Sequence, residues 1–205
     1  MGFTTILDIL GSIIIGGLLM MIAWRLSEAA TERTFNNSGE LSMQQNLSTI
    51  ANIIETDFRK IGYCDNYNKI PDPTKAITFA DTSSLKFLTD VDSDGNVDSI
   101  FYYLGPTTEL LSTPNPRDRI LYRVVNNEAP IGSNLGVTRF YMVFYDALSD
   151  TIPPPVTTPG IISSIEINLM VEKVAAFVDS AAAYDTIPGA FWQQIRLVAR
   201  NLKNR

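Results

Sequence analysis

Apolar side chains follow three different patterns along this chain. From Phe3 to Trp24 the sequence reads FTTILDILGSIIIGGLLMMIAW, apolar on every side and carrying one charged residue, Asp8. At a 1.5 Å rise per residue, about 22 helical residues cover the roughly 30 Å hydrocarbon layer of a bilayer. The run therefore predicts a spanning or filament-core helix over 1–25. A secretory signal would open on basic residues and hold a shorter apolar stretch, but no Lys or Arg precedes Arg25. A buried helix of a soluble protein would need surroundings on all sides, which a chain end rarely has.

Beyond Arg25 polarity rises and a helical period takes over. Leu47, Ile50, Ile53, Ile54, Asp57/Phe58 and Ile61 recur at spacings of three and four, which gives one apolar stripe and predicts an amphipathic helix over 26–62. Asn36-Asn37-Ser38-Gly39 is the weak point, because Asn37 followed by Glu40 has the spacing of a capping box and predicts a break or restart near 36–39.

From residue 76 onward the period shortens to two. AITF, LKFLT, SIFYYL, RILYRVV, VTRFYMVFY, SSIEINLMVE and FWQQIRLVA read as strands. In the clearest of them Ile165, Ile167, Leu169 and Val171 face a core and most of the residues between them face water. Thr113-Pro114-Asn115-Pro116 and Thr151-Ile152-Pro153-Pro154-Pro155 read as surface loops, since proline removes backbone donors. Residues 175–185, rich in alanine, favour a short helix. The expected fold is α+β: a long N-terminal helix packed on an antiparallel sheet, with a β-rich head over 63–205.

The apolar run holds two features that bear on assembly. Gly11, Ser12, Gly16 and Gly17 permit close backbone approach by a neighbouring helix, and each glycine weakens its own helix by up to ~1 kcal/mol. Weakened helix around Gly16-Gly17 is therefore expected in an assembled state. Asp8 is costly in an apolar layer and points either to a specific partner, such as a chain-terminal amine, or to a depth near water.

Charge and composition narrow the function. The net charge is −6 and no basic run occurs outside the short C-terminal tail, so nucleic acid is not an expected partner. Cys64 is the single cysteine and can form no intrachain disulfide. Histidine is absent, which removes Ser-His-Asp and Cys-His catalysis and the usual zinc sites, and no phosphate-binding glycine motif occurs, so an enzyme is not expected. Tyr102, Tyr103, Tyr141, Tyr145, Phe191 and Trp192 lie in strands and are expected to pack in the core and sheet.

The most specific chemistry is Asp90-Val91-Asp92-Ser93-Asp94-Gly95-Asn96-Val97-Asp98. Oxygen ligands at alternate positions converge when a glycine turn folds the loop around a hard cation. Asp90, Asp92, Asp94, Asn96 and Asp98 are the candidate ligands, with calcium a better match than magnesium, which demands rigid octahedral geometry. Phe101 replaces the bidentate glutamate of an EF-hand and the flanks are strands, so this is a calcium-loop analogue. An acidic solvated turn built on Asp-Gly is the alternative reading.

The opening GFTTILDILGS, the segment DFRKIGY at 57–63, the strand pair VTRFYMVFYDA and ISSIEINLMVE, and the terminal IRLVARNL together resemble the type IV pilin and type II secretion pseudopilin superfamily, its larger minor-pseudopilin-like subunits among them. Phe3 stands where that family places the first residue of its mature chain. Its glutamate is the fifth residue, whereas Asp8 is sixth from Phe3. The basic leader of the family does not precede Gly2, so either Met1 is a mature terminus or a leader lies outside this sequence. DVDSDGNVDSIFYYL also resembles a calcium loop that recurs between strands in pilin-like proteins. The resemblance implies a structural subunit assembled with copies of itself into a helical filament. It implies residence in the inner membrane before assembly by pilus or secretion machinery, and then a place on the cell surface. A minor pseudopilin that primes or caps a secretion or DNA-uptake machine, and a membrane-anchored calcium-binding module that never polymerises, are the competing functions.

Overall fold

A computed structural model describes residues 2–113, 115–126, 128–172 and 190–198. The short helix expected at 175–185 and the end of the last strand run lie outside them.

One helix, α1, runs unbroken over Gly2–Arg59. The break expected near 36–39 does not occur. Asn, Ser and Gly are poor helix formers, but propagation needs no new nucleus once a helix stands on either side, and a break would forfeit several backbone hydrogen bonds. The helix ends where Gly62 takes φ +72°, a left-handed turn that a side chain would strain. The Gly62 N–H then donates to the Leu88 carbonyl at 2.9 Å, which ties the helix exit to the sheet.

Among the described residues the sheet has eight strands: β1 (Ile77–Asp81), β2 (Ser84–Thr89), β3 (Asp98–Leu104), β4 (Arg119–Val125), β5 (Ile131–Tyr145), β6 (Thr151–Ile152), β7 (Ser164–Glu172) and β8 (Ala190–Leu197). Its order is β1-β2-β3-β4-β5-β7-β8 with β6 on β5, and each of these pairings is antiparallel. β6 corrects the reading of Thr151-Ile152 as loop: the two residues pair with Tyr145 and Phe144 just ahead of the prolines.

The core lies between the C-terminal half of α1 and one face of this sheet. Met43, Leu47, Ile50, Ala51, Ile54 and Phe58 along the helix, and Ile61 in the turn after it, are buried with Phe87, Ile100, Tyr102, Met142, Ile167 and Leu169, among others. Ile53 belongs to the expected stripe but is 47% exposed, on its edge. Upstream, the apolar residues from Ile6 to Trp24 are all more than half exposed among those with large side chains. α1 thus divides into a free apolar half and a packed amphipathic half.

Two expectations about strand faces need correction. In β7 the alternate residues Ser164, Asn168 and Glu172 are buried rather than open to water. Asn115 and Arg117, in the segment before β4, fold over Glu172, whose carboxylate accepts from the Asn115 amide at 2.9 Å and pairs with the Arg117 guanidinium at 2.9 Å. Among the aromatics, Tyr102 is core and Tyr103 stacks on Phe101 along β3 and on Tyr122 across to β4, but Tyr141 and Trp192 are 42% and 66% exposed.

Candidate functional site

The acidic loop 90–98 joins β2 to β3 beside the exit of α1. Backbone geometry closes it: Ser93 and Gly95 both take positive φ, 63° and 78°. Asp90 is fully buried and acts as the hub. Its Oδ2 accepts from the Asp65 N–H at 3.1 Å and the Gly95 N–H at 2.9 Å, and its Oδ1 accepts from the Asp94 N–H at 3.1 Å. Burial pushes the Asp90 carboxyl up, but these backbone donors outweigh it and hold the pKa below the usual aspartate value.

Carboxylate oxygens of Asp90, Asp92 and Asp98 lie within 4.8 Å of one another. Asp98 also anchors the far end of the loop, accepting from the Val91 N–H at 3.0 Å and from the Asn126 amide at 2.8 Å. Asp94 turns to the Asn96 backbone N–H at 2.7 Å and the Asn96 amide at 2.6 Å. The Asn96 side-chain oxygen in turn accepts from the Lys69 ammonium at 2.5 Å. Of the five candidate ligands, the structure therefore brings Asp90, Asp92 and Asp98 together and sets Asp94 and Asn96 to the side. Three hard carboxylate oxygens at such separation suit a cation of calcium size, which takes oxygens at about 2.3–2.6 Å and tolerates irregular geometry.

Lys60 and Lys69 were not foreseen as parts of this loop. Lys60 donates to the Val91 carbonyl at 2.9 Å, and Lys69 meets Asn96 from the short 3-10 turn Tyr67–Lys69. Each lies more than twenty positions upstream, so no local spacing announces it. The two ammonium groups supply positive charge at the rim of the carboxylate cluster.

At the other end of the molecule, Phe3 lies in the first turn of α1, and Asp8 is exposed on the free half of the helix. The Asp8 backbone carbonyl accepts from the Ser12 hydroxyl at 2.7 Å. Gly16 and Gly17 are helical in the single chain, and nothing stands within 4 Å of where their Cβ atoms would be. Their helix face is open to close approach.

Within the core, the helical stripe also carries one polar group. Asp57, 8% exposed, accepts from Arg123 Nε at 2.7 Å and from the Tyr102 hydroxyl at 2.5 Å. Tyr102 and Arg123 are direct cross-strand partners on β3 and β4. Burial, reinforced by the Asp57 charge, pushes the Tyr102 hydroxyl far above its ordinary pKa, so it remains a donor.

No family model matches the chain, and no curated protein does. Among solved structures, the chain is similar to a type IV-like pilin from Thermus thermophilus, with 10% sequence identity and a TM-score of 0.43 over 78% of this chain and 96% of that one.

Proposed function

We propose that this chain is a structural subunit of a type IV pilus-like filament, inserted in the inner membrane by the free half of α1 before assembly and packed through the same half afterwards. The observation that carries this reading is the division of α1. The stripe from Met43 to Phe58 is packed on the sheet, while the large apolar residues from Ile6 to Trp24 have no cover in the single chain. Such a surface is stable in water only when covered, by lipid before assembly and by copies of itself in a filament. The open backbone at Gly16 and Gly17 suits close helix packing in either setting.

Electron microscopy of sheared surface material is the test. Filaments that react with antibody to this chain are expected, with the chain's helix loosened around Gly16-Gly17 in the reconstructed density. Surface material without such filaments would overturn the reading, and the non-polymerising anchored module would take its place.

The loop 90–98 is proposed to bind calcium and stiffen the head that the filament displays. Calcium at one hundred times its dissociation constant would stabilise the head by about 2.7 kcal/mol, read as a raised melting temperature. Asp92→Ala is expected to abolish that gain and leave the calcium-free melting temperature almost unchanged, because Asp92 is exposed and, among the described residues, its side chain accepts one long hydrogen bond, from the Asp94 N–H at 3.3 Å. A melting temperature indifferent to both calcium and EDTA would show the loop to be a solvated acidic turn.

A further inference from the structure

We propose that the head carries a second site, a pocket that binds small oxyanion ligands through the guanidinium groups of Arg119 and Arg139. It lies against β4, β5 and β7, remote in sequence from both the acidic loop and the free half of α1, and does not depend on filament assembly. Its volume is about 310 Å³, and Arg117, Arg119, Thr138, Arg139, Tyr141 and Glu172 contribute to its lining. That volume is at the lower end of the range for small-molecule sites.

The pocket has a structural cause. The register of β5 slips against β4 between Arg119 and Leu121, and against β7 between Val137 and Arg139. Gly136, at φ +74°, turns the strand within the first of these irregularities, which spans Ser133 to Val137 on β5. As a result Val137 and Thr138, consecutive residues, are both buried, where a regular strand would send one of them outward. The Thr138 hydroxyl, in a residue 7% exposed, has no hydrogen-bond partner. Buried hydroxyls are almost always paired, and one left unpaired in a pocket wall is available to a ligand.

Charge selects the ligand class. Glu172, whose side chain is 1% exposed, is already matched by Arg117 and Asn115. The Arg119 and Arg139 guanidinium groups have no ion pair or hydrogen bond among the described residues, although both backbones pair in the sheet, in a chain whose net charge is −6. Asp118, next to Arg119 in the chain, is 1% exposed, and neither of its carboxylate oxygens has a hydrogen-bond partner among the described residues. Burial, with the Glu172 charge adding to it, raises the Asp118 carboxyl above the usual aspartate pKa. A guanidinium offers paired donors that match a carboxylate or phosphate. The Thr138 and Ser83 hydroxyls supply neutral donors, and Leu104 and Phe140 give the pocket an apolar wall. The oxyanion can be the carboxylate of an acidic sugar or a free phosphate.

Titration calorimetry on the full chain in detergent micelles at low ionic strength tests this, with glucuronate, inorganic phosphate and uncharged glucose as probes. Saturable millimolar binding of at least one anion is expected, weakened about tenfold or more by Arg119→Ala with Arg139→Ala. Thr138→Val should weaken it severalfold. Arg119→Lys with Arg139→Lys keeps the charges and loses the fork, so it should weaken binding with an unchanged circular dichroism spectrum, and it decides the matter if the alanine variant does not fold. Tighter glucuronate assigns the site to acidic saccharides, and tighter phosphate to free phosphate. Absence of binding by both anions, glucose binding as tight as glucuronate, or affinity unmoved by the arginine changes would each overturn the proposal.

Discussion

Asp57→Ala is expected to destabilise the head by about 3 kcal/mol, measured as a lowered denaturant midpoint of the full chain in detergent. The aspartate lies on the packed face of α1 and binds two groups that arrive from different strands, Arg123 on β4 and Tyr102 on β3. Removing it leaves a guanidinium and a phenol facing a site whose walls are helix and sheet. Breaking a buried pair from one side costs about 3–5 kcal/mol, because the remaining charge keeps its desolvation cost and loses its compensation. The lower end applies here, since the Arg123 side chain is 25% exposed and can recover some water. Arg123→Ala should cost as much or more, because it strands the less accessible partner, whose side chain is 12% exposed. The double variant should lose less than the sum of the two single losses. Losses below about 1 kcal/mol in both single variants would mean that water reaches the pair and that it behaves as a surface ion pair.

That network also marks where sequence reasoning stops. Asp57 could be placed on the inner stripe of the helix from its spacing to Ile50, Ile54 and Ile61, but its partner is 66 positions away and belongs to a strand whose seven residues are all half-buried. Alternation gives no inward face for such a strand. Where alternation is strong, in β2 with Leu85, Phe87 and Thr89 inward, the strand and its core face are both legible. In β7 the strand was legible and its second face was not, since the cover over Glu172 comes from the irregular segment holding Asn115 and Arg117. β6 was hidden because the prolines after it dominate any local reading, although its pairing ends before they begin.

The acidic loop shows the same boundary at a smaller scale. Asp90 through Asp98 could be picked out by spacing alone, and Gly95 at positive φ is the turn that spacing requires. Which carboxylates converge is decided by backbone donors that spacing does not rank. Asp94 is drawn to the Asn96 N–H and amide, whereas Asp98 is held across the loop mouth by the Val91 N–H. The continuity of α1 through residues 36–39 is the converse case, where local propensity argued for a break and cooperativity along a 58-residue helix overrode it.

Phe58→Ala is expected to have the largest effect of any single truncation considered, about 3–5 kcal/mol. Phe58 is 1% exposed and meets Phe87 and Tyr102 edge to face, at centroid separations of 5.4 and 5.5 Å. Truncation removes the ring's transfer free energy and both aromatic contacts, and leaves a cavity between a helix and a sheet that cannot readily close over it. Ile53→Ala, five residues earlier but 47% exposed, should change stability by only about 0.5 kcal/mol and serves as the control. The consequence reaches the proposed assembly, because Phe58 sits in the last turn of the helix whose far half is the membrane and filament element. Loosening this contact should free the head from α1 before the free half is affected. Limited proteolysis should then cut the variant after residue 40 while the apolar segment stays in the detergent phase. A Phe58→Ala chain with wild-type stability and protease resistance would show that the head holds α1 through other contacts.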